Sequence, residues 1–219
     1  MFNLKNSAGD IQDNPFGEIV YYRPESLEAL AEISKFSPSE IKLIYSGFKQ
    51  NAPSGAVSLN QFRNCYNEFF PEAENMDYAE FIFKAMDDDN DNFVTFEEYL
   101  VAMSAMSRGS LEEKLEWLFK IYDTKKTGVI GIESLTAVVS SVYAFFGPRI
   151  DVPYDQHTVR KKCEDTLTRF NGRKQGFINK ENFIQLCTQD PVVYNSLLLF
   201  NTIVGRYSAC QSITTSNKE

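Results

Sequence analysis

The chain has 219 residues, 43% hydrophobic and 24% charged, an ordinary globular balance with room for a sizeable core. Its formal net charge of −8 argues against nucleic acid as a partner and suits cations or basic segments. Cys65, Cys163, Cys187 and Cys210 show no C-x-x-C spacing and read as reduced thiols of a cytoplasmic protein, and no apolar run has the length of a membrane span or the form of a secretory signal.

Residues 1–22 lack periodicity and are expected to be a variable, mobile segment. Phe2 stands where a myristoylated chain needs Gly, so no lipid anchor is expected. Helical spacing starts near Arg23. Pro24 is expected in a first helical turn, followed by Leu27, Leu30, Ala31 and Ile33. Ser37-Pro38-Ser39-Glu40 then opens a second helix as a capping box, with Ile41, Ile44, Tyr45 and Phe48 on its apolar face.

An internal repeat follows, of twelve-residue windows starting at Gln50, Asp87, Asp123 and Asn171. Apolar helical faces lead in and out of the windows. The eighth places are Val57, Val94, Ile130 and Ile178, β-branched residues suited to a short strand between paired loops. The sixth places are Gly55, Asn92, Gly128 and Gly176, where the chain has to turn with positive φ. The frame predicts an all-α protein of four helix–loop–helix units in two pairs, residues 23–106 and 107–190.

Only the second window carries a full ligand set. Asp87, Asp89 and Asp91 stand at places one, three and five, Phe93 at seven, Thr95 at nine and Glu98 at twelve. That is the spacing of a calcium loop, in which alternate side chains, one carbonyl and a terminal bidentate glutamate give a hard dication about six to eight oxygens. Asn92 replaces the usual Gly at a cost of about 1 kcal/mol. The first window offers Gln50, Ala52, Ser54 and Gln61, with no carboxylate. The third puts Lys125 at the third place and Ser134 at the twelfth; the fourth puts Arg173 and Asn182 there. A cation among the ligands repels the ion, and losing the twelfth carboxylate removes two oxygens, so one calcium per chain is expected. Magnesium at rest is left open. Lys125 is expected to pair with Asp123 and hold the third loop shut.

Between the pairs, Gly109 breaks the helix and Ser110 caps the next. Phe146 to His157, with Gly147, Pro148 and Pro153, reads as a loop. Residues 191–219 read as an amphipathic helix, with Val193, Leu197, Leu198, Leu199, Phe200, Ile203 and Val204 forming its apolar part, and then a polar tail.

These words resemble the neuronal calcium sensor family. Gly47-Phe48-Lys49 and Ala52-Pro53-Ser54-Gly55 look like that family's disabled first loop, though Ala52 stands where Cys is usual. Phe69-Phe70-Pro71 and Ser107-Arg108-Gly109-Ser110-Leu111-Glu112-Glu113-Lys114-Leu115-Glu116-Trp117 also match. Arg23-Pro24-Glu25 and Ser34-Lys35-Phe36 point to its potassium-channel-interacting branch. The resemblance implies EF-hands, a hydrophobic groove and regulation of membrane proteins. That branch would make the partner the cytoplasmic segment of a voltage-gated potassium channel, with the protein cytoplasmic and peripheral at the plasma membrane through that partner. A third and fourth hand that have both lost their ligands depart from the family.

The other polar candidates have plainer readings. His157 is the single histidine and belongs to a surface loop; Trp117 and Met76, Met86, Met103 and Met106 are expected in the core. No nucleophile has a base beside it, so an enzyme is not expected. Two alternatives to a calcium-regulated gripper stay open: a calcium-insensitive scaffold of the same fold, and a plain calcium buffer.

Overall fold

Short helix-opening signals set where several helices of the N-terminal half and the linker begin. The computed structural model describes residues 22–69, 77–146, 155–171 and 176–189. Helix α1 (Leu27–Ile33) is opened by Ser26, whose hydroxyl accepts from the Ala29 amide at 3.2 Å. Pro24 is therefore not in the first turn. Ser26 supplies the side-chain acceptor that a proline cannot. Helix α2 (Pro38–Asn51) starts with the expected capping box, Ser37 with Glu40. After β1 (Ala56–Ser58), α3 (Leu59–Phe69) and α4 (Asp77–Met86), strand β2 (Phe93–Thr95) leads into α5 (Phe96–Arg108), capped by Thr95 with Glu98. Gly109 ends α5, and a Cβ there would lie 2.1 Å from the Ala105 carbonyl oxygen. Ser110 and Glu113 form the box that starts α6 (Leu111–Tyr122).

The second half repeats the plan. Strand β3 (Val129–Gly131) and α7 (Ile132–Phe146) close the third unit; α8 (Gln156–Asn171), β4 (Phe177–Asn179) and α9 (Lys180–Gln189) form the fourth. Asp155 caps α8 by accepting from the Thr158 amide at 3.0 Å. His157 is exposed, as expected of a surface residue, but it sits in the first turn of α8 rather than in a loop. The Asp-x-x-Thr cap starts the helix before the apolar spacing shows it.

The loops pair through antiparallel strands. Val57 lies opposite Val94 in one sheet, and Ile130 opposite Ile178 in the other. All four are buried. The eighth-place residues thus join hand one to hand two and hand three to hand four.

The two pairs share one core. Phe48, Phe62, Phe83, Phe96 and Leu100 belong to the same buried cluster as Leu115, Leu118, Phe119, Tyr122 and Val138. Helix α4 packs on α6 and α7, and α5 packs on α6. Trp117, Met86, Met103 and Met106 are buried in this cluster, as expected; Met76 lies outside the described residues. Around the linker, Arg108 donates to the Lys35 carbonyl at 2.7 Å, pairs with Glu40, and lies 4.5 Å from the Phe36 ring centre. This pins the corner between α1 and α2 to the end of α5. No described helix is long and apolar enough to cross a membrane. Residues 1–21 of the expected mobile N-terminal segment, the expected terminal helix at 191–219 and the tip of the fourth loop lie outside the described residues, whereas Tyr22, the last residue of that segment, is held by a hydrogen bond from its amide to the Ser54 carbonyl.

Candidate metal centre

Helix α4 is buried along most of its length and delivers Asp87 at its C-terminal end, where the Asp87 amide still donates to Phe83. The next residues coil tightly. Asn90 has φ 63° and Asn92 φ 66°. Asparagine tolerates this left-handed conformation better than other residues with a side chain, so Asn92 does the work of the missing glycine.

The coil turns alternate carboxylates inward. Asp87 Oδ1 accepts from the Asp91 amide and Oδ2 from the Asn92 amide, both at 3.1 Å. Asp89 Oδ1 accepts from the Asp91 amide at 3.2 Å, and Asp91 Oδ1 from the Phe93 amide at 2.7 Å. One oxygen each of Asp87, Asp89 and Asp91 lie within 4.8 Å of one another. Burial raises the carboxyls of Asp87 and Asp91 above their ordinary range, and the neighbouring aspartate charges add to this. Three clustered carboxylates, those of Asp87 and Asp91 partly withdrawn from water and that of Asp89 exposed, form an all-oxygen donor set that fits a hard dication.

Phe93 and Thr95 are the ends of β2, held by pairing with Ser58 and Ala56. Glu98 stands apart from the aspartate cluster. Its Oε2 accepts from the Thr95 amide and hydroxyl, each at 2.9 Å, and its Oε1 from the Asp88 amide at 2.8 Å. Burial raises this carboxyl too. The structure therefore brings three of the six sequence-predicted ligands together and uses Thr95 and Glu98 to close the loop and cap α5.

The other loops close by different means. In the first, the Gly55 amide donates to the Ala52 carbonyl at 2.9 Å, and Ser58 and Gln61 cap α3. In the third, Asp123 repeats the role of Asp87, accepting from the Thr127 amide at 3.0 Å and the Gly128 amide at 2.6 Å. The expected Lys125–Asp123 pair does not form. Asp123 is buried and its oxygens are taken by amides, so Lys125 pairs with Glu133 at 2.9 Å on the outside. Thr124 donates to the Ser134 hydroxyl at 2.9 Å across the loop. In the fourth, Asn179 accepts from the Asn182 amide at 2.8 Å at the start of α9.

Two sets of functional neighbours were not visible in the sequence. Lys120 pairs with Asp88 at 2.7 Å, and Lys126 donates to the Asp87 carbonyl. On the opposite side, the Tyr22 amide donates to the Ser54 carbonyl at 2.8 Å and the Glu25 amide to Glu97 at 2.7 Å, so residues 22–25 strap the first loop to α5. Burial and a hydrogen bond to Glu97 push the Tyr22 phenol up. These partners are far apart in sequence and carry no spacing signal.

Helix–loop–helix units paired through short strands, with an oxygen-lined loop in one of them, define an EF-hand protein of the two-pair kind. A search against family models matches none. The chain is, however, 32% identical over 177 residues to neuronal calcium sensor 1 of Lymnaea stagnalis, covering 81% of this chain and 93% of that protein. The chain belongs to the neuronal calcium sensor family.

Proposed function

We propose that the protein is a calcium-binding regulator that carries one ion, in the second hand. Asp87, Asp89 and Asp91 would hold it with the Phe93 carbonyl, with Thr95 at the water-linked place and Glu98 as the twelfth ligand. The observation that carries this reading is the convergence of three carboxylates, two of them partly withdrawn from water, in a loop turned by two left-handed asparagines. The relative's name as a calcium sensor supports it. The ion supplies the positive charge that this cluster lacks. The residues' own part is to orient the oxygens through the loop amides and to exclude water on the α4 side. Two oxygens from Glu98 favour calcium over octahedral magnesium, and magnesium at resting calcium is the competing occupant.

The ion would act on the N-terminal pair, 23–106, while the C-terminal pair, 107–190, keeps its closed loops without metal. The target would be an amphipathic segment of a membrane protein, with a voltage-gated potassium channel as the specific proposal. Such a partner would place the protein at the cytoplasmic face of the membrane without a lipid anchor. The exposed Leu43 and Val101, at 54% and 44%, are apolar surface of the kind such a segment covers. A second reading, a calcium-insensitive scaffold, is favoured by the metal-free closure of the third loop through Thr124–Ser134 and Lys125–Glu133.

Calorimetry on the full chain tests the first part: one equivalent of calcium, lost in Glu98→Gln. That variant keeps the cap on α5, because glutamine also completes a capping box. Two or more equivalents would refute the single site. Capture from membrane extracts then separates the readings. Calcium-dependent retention of a channel, absent with Glu98→Gln, supports the regulator, and equal retention in chelator supports the scaffold.

A further inference from the structure

Among the described residues, no ion pair to the second loop comes from its own pair. The cations that reach it come from the third hand. Lys126, fourth residue of the third loop, has φ 51°, and its ammonium donates to the carbonyl of Asp87, the first residue of the second loop. Lys120 on α6 donates to Asp88 Oδ1 at 2.7 Å. Two charges from the C-terminal pair thus touch two consecutive residues of the acidic loop. The adjacent Lys125 turns the other way, to Glu133. A left-handed lysine is disfavoured by about 1–2 kcal/mol. Here that conformation accompanies an ammonium placed just past the end of α4, where the helix dipole also favours positive charge.

We propose that Lys126, assisted by Lys120, is a tethered counter-charge of the metal loop, so that the third hand, which binds no ion itself, sets the ion affinity of the second. This inference rests on the one-ion reading above. In the metal-free protein the ammonium groups offset the repulsion among Asp87, Asp89 and Asp91. When a dication arrives, the same groups oppose it. By linkage, ion binding weakens the docking of the third loop on the second, which gives the two pairs a route of communication through charge rather than through a moving core.

The test measures calcium titration and, in chelator, thermal unfolding of the full-length protein and four variants. Lys126→Met is expected to bind calcium about tenfold more tightly, the effect of removing a unit charge from the edge of a partly screened dication site. The same variant is expected to melt lower than wild type in chelator, by about 2–4 °C. Lys120→Met, whose pair is exposed, is expected to gain about two- to threefold. Lys126→Arg should keep wild-type affinity, and Lys125→Met should leave affinity unchanged although it removes the same charge one residue away. The opposite signs for ion affinity and metal-free stability distinguish a counter-charge from a packing role. Unchanged or weaker calcium binding in Lys126→Met, or an equal gain in Lys125→Met, overturns the proposal while leaving the metal site standing. Folded proteins that all fail to bind calcium would remove both the single-site reading and this one. Should Lys126→Met not fold, Lys120→Met carries the same comparison, and an unchanged affinity there counts against the proposal.

Discussion

The second and third loops have nearly the same backbone and opposite chemistry. Both hold a buried aspartate at the first place, accepting from the amides of the fifth and sixth residues. Both take positive φ at the fourth and sixth places: Asn90 and Asn92 in one, Lys126 and Gly128 in the other. They diverge at the side chains that follow. The second loop turns Asp89 and Asp91 toward Asp87, whereas the third closes itself with Thr124–Ser134 and Lys125–Glu133. The loop shape follows from the Asx-type bonds of the first residue and from local φ preferences. What the ligand positions decide is whether the loop is left with uncompensated negative charge.

The strongest way to break this comparison is to convert one loop into the other. Lys125→Asp with Ser134→Glu restores carboxylates at the third and twelfth places of a loop whose backbone already matches. A second equivalent of calcium is expected by calorimetry. Its absence would mean that loop shape alone does not prepare a site.

A core substitution examines whether the two pairs respond as one. Leu118 is fully buried in the cluster that joins them, so Leu118→Ala is expected to cost about 2–5 kcal/mol. Urea unfolding followed by probes in both pairs should shift together; a shift confined to the C-terminal pair would mean that the shared core does not couple them.

Gly55 sharpens the contrast between the first loop and the rest. It has φ 95°, and a Cβ there would lie 2.3 Å from the Tyr22 carbonyl oxygen. Gly55→Ala is expected to destabilise by about 1–3 kcal/mol, through a strained backbone and displacement of the strap. At Gly128, where φ is 78° but nothing approaches within 4 Å, alanine meets the backbone penalty alone and should cost less. Equal losses in thermal melts would show that the strap contributes nothing.

The smallest effect is with pH, and the signs differ between regions. Asp87, Asp91 and Glu98 have raised carboxyl pKa values in the metal-free fold. Their contribution to metal-free stability is therefore largest below the ordinary carboxylate range and is lost as pH rises through the raised values. Protons compete with the ion, so calcium affinity should fall as pH drops toward the carboxylate range. Glu40 and Glu113, held down to about 2 by Arg108 and Lys35, behave in the opposite way. Their links persist through mild acid and are lost as pH falls toward 2. Affinity that stays unchanged as pH falls through the carboxylate range would argue that Glu98 and the aspartates do not bind the ion.

Much of the frame was legible because it is written in local signals. Ser37 with Glu40 marks one helix start as a capping box and Ser110 marks another as a cap, and both form as read. Val57, Val94, Ile130 and Ile178 marked the strand pairs by place number alone. The misreadings came from competition that spacing does not show. Pro24 was placed in a helix that Ser26 opens, and His157 in a loop where Asp155 had already started α8. Lys125 was matched to the nearest opposite charge in sequence, but Asp123 faces inward and its oxygens serve amides.

The amino-acid sequence by itself determined the repeat, the pairing of its loops and the one window rich enough in oxygens for a dication. Each follows from residue type at a fixed spacing, and spacing is a property of the chain. Only the tertiary structure decided that Glu98 also binds the Asp88 amide, that residues 22–25 strap the first loop to α5, and that Lys120 and Lys126 face the acidic loop. Lys126 and Asp87 lie 39 positions apart, and nothing in either residue names the other. They meet because α4 and α6 pack across the shared core and bring the ends of two hands together.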